Sequence, residues 1–185
     1  MSSTLTRHRF TVDQYEEMGQ TGILTENDHV ELLQGEIVEK MTIGPGHAAC
    51  VNRMNRVFQQ RFGSVAIIAV QNPIRTADSE PEPDVAVLKF DEDFYARGTP
   101  RGEDVLLVVE VSDVTLETDR TLKSEIYALA GIPEYWIINL VEERLEVLRR
   151  PSPAGKYASL QSFDRTATIT PLLFPDCTLN VSDLF

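Results

Sequence analysis

The chain has 185 residues, which fits one hydrophobic core, since single cores grow to roughly 250 residues before chains divide into domains. Hydrophobic residues make up 42% and charged residues 25% of the composition, as is typical of a soluble globular protein. The net charge of -12 argues against a surface covered with nucleic-acid contacts, because clustered lysines and arginines bind phosphates. A local basic cleft, or a site whose acidic residues are offset by bound cations, is compatible with this charge.

The N-terminus and the cysteines indicate the compartment. Residues 1–9 are polar and lack the apolar core of a signal peptide, and no run of about 18 apolar residues predicts a membrane span. Cys50 and Cys177 are far apart and lack CxxC spacing, so we interpret them as thiols in a reducing compartment. We therefore expect a cytoplasmic protein without membrane contact, with a flexible lead-in at 1–9 and a single domain over 10–185.

Helical and strand patterns alternate along the chain, which predicts a mixed α/β fold with one central sheet. The first helix begins at Thr11, whose capping-box pattern with Gln14 satisfies free amides at the helix start. Further elements are predicted, in chain order, as a hairpin over 30–41, a helix over 47–62, strands at 65–70, 84–88 and 105–111, a helix over 118–130, and strands at 135–138, 144–149, 157–163 and 167–169. Because a helix joins the strands at 105–111 and 135–138, these two strands are expected to lie parallel.

A carboxylate inside the most apolar strand is the strongest sign of a functional site. Glu110 lies within Val105–Ser112, where an uncompensated charge is costly unless it is paired or bound to a metal ion. Asp84 begins the strand at 84–88, and antiparallel pairing of the two strands would bring the carboxylates together. Mg²⁺ prefers such oxygen ligands. The alternatives are a solvated or salt-bridged Glu110 at the strand end and an Asp84 that caps a turn.

Five further side chains are candidates for the same site. On a helical wheel of about 100° per residue, Lys123 and Asp119 both lie within the apolar stripe of their helix. The alternatives for Lys123 are an ordinary pair with Asp119 and a side chain that reaches water. His47 opens its helix on the apolar side, as a ligand, a phosphate contact, a general base or a structural histidine. Glu31 and Glu36 flank the hairpin turn, where exposed carboxylates are also common.

The ordered set of these motifs resembles the PD-(D/E)XK nuclease superfamily and, more narrowly, the Uma family of proposed restriction endonucleases. The resemblance covers about residues 10–180. It is carried by Glu31–Val38, His47 at a helix start, Pro83–Val85, Val109–Ser112, Asp119 with Lys123, and Gly131–Trp136. It implies a restriction endonuclease-like core, in which helices flank a central mixed β-sheet, with extra N- and C-terminal strands.

The resemblance also implies an active site. Asp84, Glu110 and Lys123 would be catalytic, with Mg²⁺ or Mn²⁺ bound by Asp84, Glu110 and the carbonyl of Val111. The superfamily pattern has a lysine two residues after the acid, where this chain has Ser112. We expect Lys123 to replace that lysine from the adjacent helix.

Glu31, Glu36, His47 and Asp119 are expected in supporting roles. The function implied is metal-dependent hydrolysis of phosphodiester bonds in DNA, by a homodimer because cutting both strands of a duplex needs two sites. The alternative is a degenerate nuclease domain that serves protein interaction or regulation, which the acidic composition favours. A site for a small phosphorylated ligand is disfavoured, because the sequence has no Walker-type loop or GxGxxG. A nucleophilic triad is disfavoured because no GxSxG is present.

Overall fold

The computed structural model describes residues 6–25 and 27–185, so residues 1–5 of the expected lead-in lie outside the described residues. The helices are α1 (Val12–Gln20), α2 (Pro45–Phe62), α3 (Leu116–Thr118) and α4 (Ser124–Leu129), and a π-helical turn (Asp119–Lys123) joins α3 to α4. The strands are β1 (Val30–Leu33), β2 (Glu36–Glu39), β3 (Ala66–Ala69), β4 (Val85–Lys89), β5 (Val105–Ser112), β6 (Glu134–Asn139), β7 (Arg144–Ser152), β8 (Lys156–Asp164), β9 (Thr168–Ile169) and β10 (Leu179–Asn180). Short 3₁₀ turns are formed by Gly102–Asp104 and Val181–Leu184. Within the described ranges, no helix is long and apolar enough to cross a membrane.

A six-stranded mixed sheet forms the centre of the fold, in the order β3-β4-β5-β6-β7-β8. The pair β5–β6 is parallel, as expected from the helical connection between them, and the other neighbours in this sheet are antiparallel. In the β4–β5 pair Val85 lies opposite Val109, so the start of β4 meets the end of β5. Two antiparallel pairs, β1–β2 and β9–β10, supply the extra N- and C-terminal strands, which confirms the expected fold class.

Each face of the sheet carries its own apolar core. On one face α2 packs Met54, Phe58 and Phe62 against residues that include Val109 and Trp136. On the other face α4 packs Ile126 and Tyr127 against the strand residues that point to that face. Because successive strand residues point to opposite faces, Glu110 points away from α2 and towards α4.

Local sequence explains where the first two helices begin. Thr11 and Gln14 form the capping box in both directions, with Thr11 N–H donating to the Gln14 side chain at 2.9 Å. The second helix begins at Pro45, two residues earlier than expected. Gly44 is its N-cap, and proline suits the first helical position because the missing N–H would have no partner there.

The helix predicted over 118–130 is correct in position but differs in geometry. It begins at Leu116 and widens into the π-helical turn, where the Ser124 N–H donates to the Asp119 carbonyl five residues earlier. The same carbonyl accepts a hydrogen bond from the Tyr135 hydroxyl at 3.1 Å. A wheel built on α-helical spacing gives no indication of this local widening.

A buried ion pair holds the C-terminal segment against the sheet. Glu134 on β6 is 1% exposed and accepts hydrogen bonds from Trp136 Nε1 at 2.9 Å and from Arg149 Nε at 2.8 Å. Its other oxygen accepts the Leu172 N–H at 2.6 Å, and Arg149 also donates to the Thr170 carbonyl. The carboxylate therefore joins two strands to the segment around 170–172.

Replacing Glu134 by alanine should lower the free energy of unfolding by about 3 kcal/mol, because Arg149 loses its buried counter-charge and Leu172 its acceptor. The exposed pair Arg165–Glu143 is a matched control, and Glu143→Ala should cost less than about 1 kcal/mol. Urea denaturation of both variants measures the difference. Equal losses would contradict a structural role for the buried pair.

A second buried carboxyl lies where the hairpin meets the segment before β4. Glu80 is 8% exposed, its N–H donates to the Leu32 carbonyl, and its Oε2 has no hydrogen-bond partner among the described residues. Burial, together with the neighbouring Glu16 carboxylate, raises the pKa of Glu80 to about 7. The folded state therefore binds a proton here more tightly than the unfolded chain does.

The resulting pH dependence has a definite sign. The stability from protonated Glu80 is fully present below the ordinary glutamate pKa and is lost as the pH rises through about 7. Glu80→Gln, which keeps a neutral side chain at all pH values, should match the wild type near pH 4. It should be more stable by about 1–3 kcal/mol near pH 8.5. Thermal unfolding of both proteins at the two pH values tests this, and a difference that does not depend on pH would refute it.

Candidate active site

The antiparallel β4–β5 pair brings the two expected acids together at one end of the sheet. Asp84 and Glu110 are 8% and 4% exposed. The Asp84 N–H donates to Glu110 Oε2 at 3.4 Å, and Asp84 Oδ2 accepts the Val111 N–H at 2.8 Å. Since the N–H and C=O of a strand residue point to the same side, the Val111 carbonyl also faces this corner. All three residues therefore lie at one corner of the sheet.

Lys123 reaches this corner from the π-helical turn. Its Nζ donates to Glu110 Oε1 at 3.1 Å and lies 3.3 Å from Glu31 Oε1. Burial lowers the pKa of Lys123, but the carboxylates of Glu110 and Glu31 raise it by more, so the net shift is upward. Lys123 consequently keeps its proton at neutral pH and acts as a positive charge and a hydrogen-bond donor.

Glu110 remains short of compensating charge despite these contacts. Its Oε1 also accepts a hydrogen bond of 2.6 Å from the hydroxyl of Tyr127. Burial raises the pKa of Glu110 to about 8, although Lys123 and Tyr127 act in the opposite direction. A further positive charge beside this buried carboxylate would therefore stabilise its ionised form.

His47 contacts Asp84 directly. Its Nε2 is 3.0 Å from Asp84 Oδ2, and its buried Nδ1 has no hydrogen-bond partner among the described residues. Burial lowers the pKa of His47, but the Asp84 carboxylate raises it more, with a smaller contribution from the Val111 carbonyl. A protonated imidazole at this position can donate to an anion.

The structure brings some of the supporting candidates into the site and leaves one outside. Glu31 is buried, contacts Lys123 and accepts the Glu82 N–H at 3.1 Å. Asp119 is 2% exposed, and its carboxylate bonds to the hydroxyls of Ser112 and Thr115 instead of reaching the acids. The carboxylate of Glu36 is 3.4 Å from the guanidinium of Arg7 and is not part of this cluster.

Sequence reasoning missed Tyr127, Gln71 and Thr115. Helical periodicity predicts only core packing for Tyr127, although a buried tyrosine hydroxyl generally needs a partner and Lys123 lies four residues before it. Gln71 Nε2 is 3.4 Å from Asp84 Oδ1, and Thr115 donates to Asp119 at 2.6 Å. Both lie in irregular segments, where the periodicity of the sequence carries no signal.

The donor set suits a hard divalent cation. Within residues 6–25 and 27–185, no three Asp, Glu, His or Cys side chains are grouped to bind a metal ion. Two carboxylates and a peptide carbonyl nevertheless supply the oxygen ligands that Mg²⁺ prefers, with water completing its shell. The outer oxygens of both acids, Asp84 Oδ1 and Glu110 Oε2, are held only by contacts of 3.4 Å. The residues present therefore fit Mg²⁺ or Mn²⁺.

Comparisons with known proteins identify the family and support the fold. A family model described as "Uma2: Putative restriction endonuclease" matches residues 12–182. No match was found among curated proteins. Among solved structures, the chain is similar to "a putative nuclease belonging to DUF820 from Anabaena variabilis ATCC 29413", with 18% sequence identity and a TM-score of 0.70. The match covers 95% of this chain and 97% of the other, and it supports the same overall fold.

The buried contact between Glu110 and Lys123 should show strong energetic coupling. Lys123→Met alone leaves two buried carboxylates without their cation and should lower the free energy of unfolding by about 3–5 kcal/mol. Adding Glu110→Gln removes one of these charges. The loss of unfolding free energy in the double variant should therefore be about 2 kcal/mol smaller than the sum of the two single losses. Urea denaturation of the four proteins of this cycle provides the coupling energy. Additive losses would mean that the ammonium and the carboxylate do not interact.

Proposed function

Because the chain belongs to the Uma2 family, whose description is "Putative restriction endonuclease", we propose that it hydrolyses phosphodiester bonds in DNA with Mg²⁺ or Mn²⁺. The observation that carries the proposal is the contact between Lys123 Nζ and Glu110 Oε1, beside Asp84. The superfamily pattern needs a lysine at the acid, and Ser112 cannot supply its charge. Lys123 supplies it from the helix that follows the strand.

The metal ion would be held by Asp84, Glu110 and the carbonyl of Val111. The chemistry supplied by such an ion is polarisation of a phosphate oxygen and generation of hydroxide near neutral pH. The long 3.4 Å contacts to Asp84 Oδ1 and Glu110 Oε2 support this proposal, because such contacts compete only weakly with a metal ion for these oxygens. The leaving group would be the 3′ oxygen of the sugar.

Lys123 and His47 would act on the phosphate itself. Because the pKa of Lys123 is raised, it retains its proton and would stabilise negative charge that develops on the phosphate in the transition state. It would orient a water molecule as a hydrogen-bond donor rather than abstract a proton. His47, whose pKa is also raised, would donate to a phosphate oxygen beside Asp84.

The remaining parts of the proposal concern the assembly and the cell. A homodimer would place two such sites on opposite strands of a duplex. A cytoplasmic location is consistent with the two free cysteines. Asp119 and Glu31 would support Lys123 from behind, and Glu36 has no role in the proposal.

A second candidate function retains the fold without catalysis. Hydrogen bonds within the protein already engage both acids, since Asp84 accepts one from the Val111 N–H and Glu110 accepts one each from Tyr127 and Lys123. A net charge of -12 also opposes binding to a polyanion. Both observations favour a regulatory or protein-binding module.

Metal-dependent plasmid cleavage separates the two functions. The wild type should nick supercoiled DNA with Mg²⁺ or Mn²⁺, and Asp84→Asn and Glu110→Gln should each reduce the rate by about 10³-fold or more, because each removes a charged metal ligand. Glu117→Gln, which changes an exposed acid on α3 outside the site, should cleave like the wild type. Calorimetric titration of both metal ions into the same proteins shows whether the ion binds at all.

Two outcomes would contradict the proposal. Cleavage retained in both acid variants would remove Asp84 and Glu110 from the reaction. Metal binding by the wild type without detectable cleavage of duplex or single-stranded DNA would favour the regulatory module.

A further inference from the structure

One buried carboxylate attaches the π-helical turn to the end of β5. Asp119 Oδ2 accepts hydrogen bonds from the hydroxyls of Ser112 at 2.7 Å and Thr115 at 2.6 Å. The Asp119 N–H donates to the Thr115 carbonyl, and its own carbonyl accepts the Ser124 N–H and the Tyr135 hydroxyl. Asp119 thus binds the strand before the turn, the helix after it and the next strand.

The widening of the helix reduces the angle between the side chains that face the sheet. In a straight α-helix, residues four apart are rotated by about 40° and residues eight apart by about 80°. A π-helical turn closes one residue later, so each residue advances by a smaller angle and the rotation over four residues is reversed in sign. Asp119, Lys123 and Tyr127 can then face the sheet together, and the latter two meet on Glu110 Oε1.

Ser112 is central to this arrangement, because it occupies the position where the superfamily pattern has lysine. Its hydroxyl is fully buried and has Asp119 as its partner. Ser112 thus anchors the segment that carries Lys123, the residue that replaces the lysine of the pattern. Asp119 and Lys123 are both described by the structure, and they form no ion pair with each other.

We infer that Asp119 is a positioning residue, which fixes the π-helical turn to Ser112 and Thr115 so that Lys123 and Tyr127 meet on Glu110. It contacts neither the acids nor the expected phosphate position, and it acts through Lys123. Its importance for catalysis rests on the proposed function. Its effect on the place of Lys123 is independent of any reaction.

Reductive methylation of lysines followed by peptide mass spectrometry measures how accessible the Lys123 amine is, and so whether it stays buried against Glu110. The exposed Lys89 and Lys156 serve as internal references in the same protein. In the wild type, Lys123 should react far more slowly than both. In Asp119→Ala its relative rate should rise about tenfold or more, because the anchored turn loses its two hydroxyl partners and opens locally. Asp119→Asn, which keeps one acceptor oxygen, should lie between the two.

Ile132→Val is the matched control for a general loss of stability. Ile132 is fully buried in the same core, and this change removes one methylene without touching the turn. It should lower the melting temperature but leave Lys123 protected. If Asp119→Ala does not fold, Thr115→Val, which removes one hydroxyl, should still give a measurable rise.

The inference is overturned if Lys123 in a folded Asp119→Ala protein stays as protected as in the wild type. It is equally overturned if Ile132→Val exposes Lys123 to the same extent, or if Thr115→Val gives no rise where alanine abolishes folding. In cleavage assays, Asp119→Ala should lower kcat with little change in KM, because Lys123 acts in the transition state. If the wild type does not cleave DNA, the proposed function fails while the methylation result still decides the positioning role.

Discussion

The carboxylate of Glu110 is almost completely buried, and the surrounding structure compensates for that burial. The apolar run of β5 is required by a sheet that is covered on both faces, so its one acid has to find partners within the protein. Tyr127 and Lys123 supply two of them from the following helix. The raised pKa of Glu110 indicates that these partners do not fully offset the loss of solvent.

The shortage of positive charge beside Glu110 is a local feature, which differs from the acidic composition of the whole chain. At the corner of the sheet, Glu31, Asp84 and Glu110 face one ammonium group and one imidazole. A divalent ion there would reduce repulsion among the acids and attract a phosphate, so a chain with net charge -12 can still bind an anion at one point. The electrostatic potential at the site and the net charge of the whole chain need not have the same sign.

The sequence predicted the fold and much of the corner because both depend on strong local signals. The capping box at Thr11 and the apolar run around Glu110 are such signals, and the helical connection after β5 made the parallel pairing of β5 and β6 predictable. The π-helical turn could not be predicted, because no periodic pattern marks the tertiary contacts that Asp119 makes with Tyr135 and the end of β5. Gln71 and Thr115 lie in irregular segments without a periodic pattern. The chemical roles of Asp84, Glu110, Lys123 and Val111 stay predictions.

Glu110, Lys123 and Tyr127 are close in the sequence, with separations of 13 and 17 residues from Glu110 to its two partners. They form a buried unit that a chain would retain for stability even after losing its chemistry. Asp84 and His47 contribute less to the core, and their contact joins two distant segments at the corner of the sheet. In an alignment of relatives, conservation of Glu110 and Lys123 would therefore report the fold. On the proposed function, joint loss of Asp84 and His47 would mark relatives that do not cleave DNA.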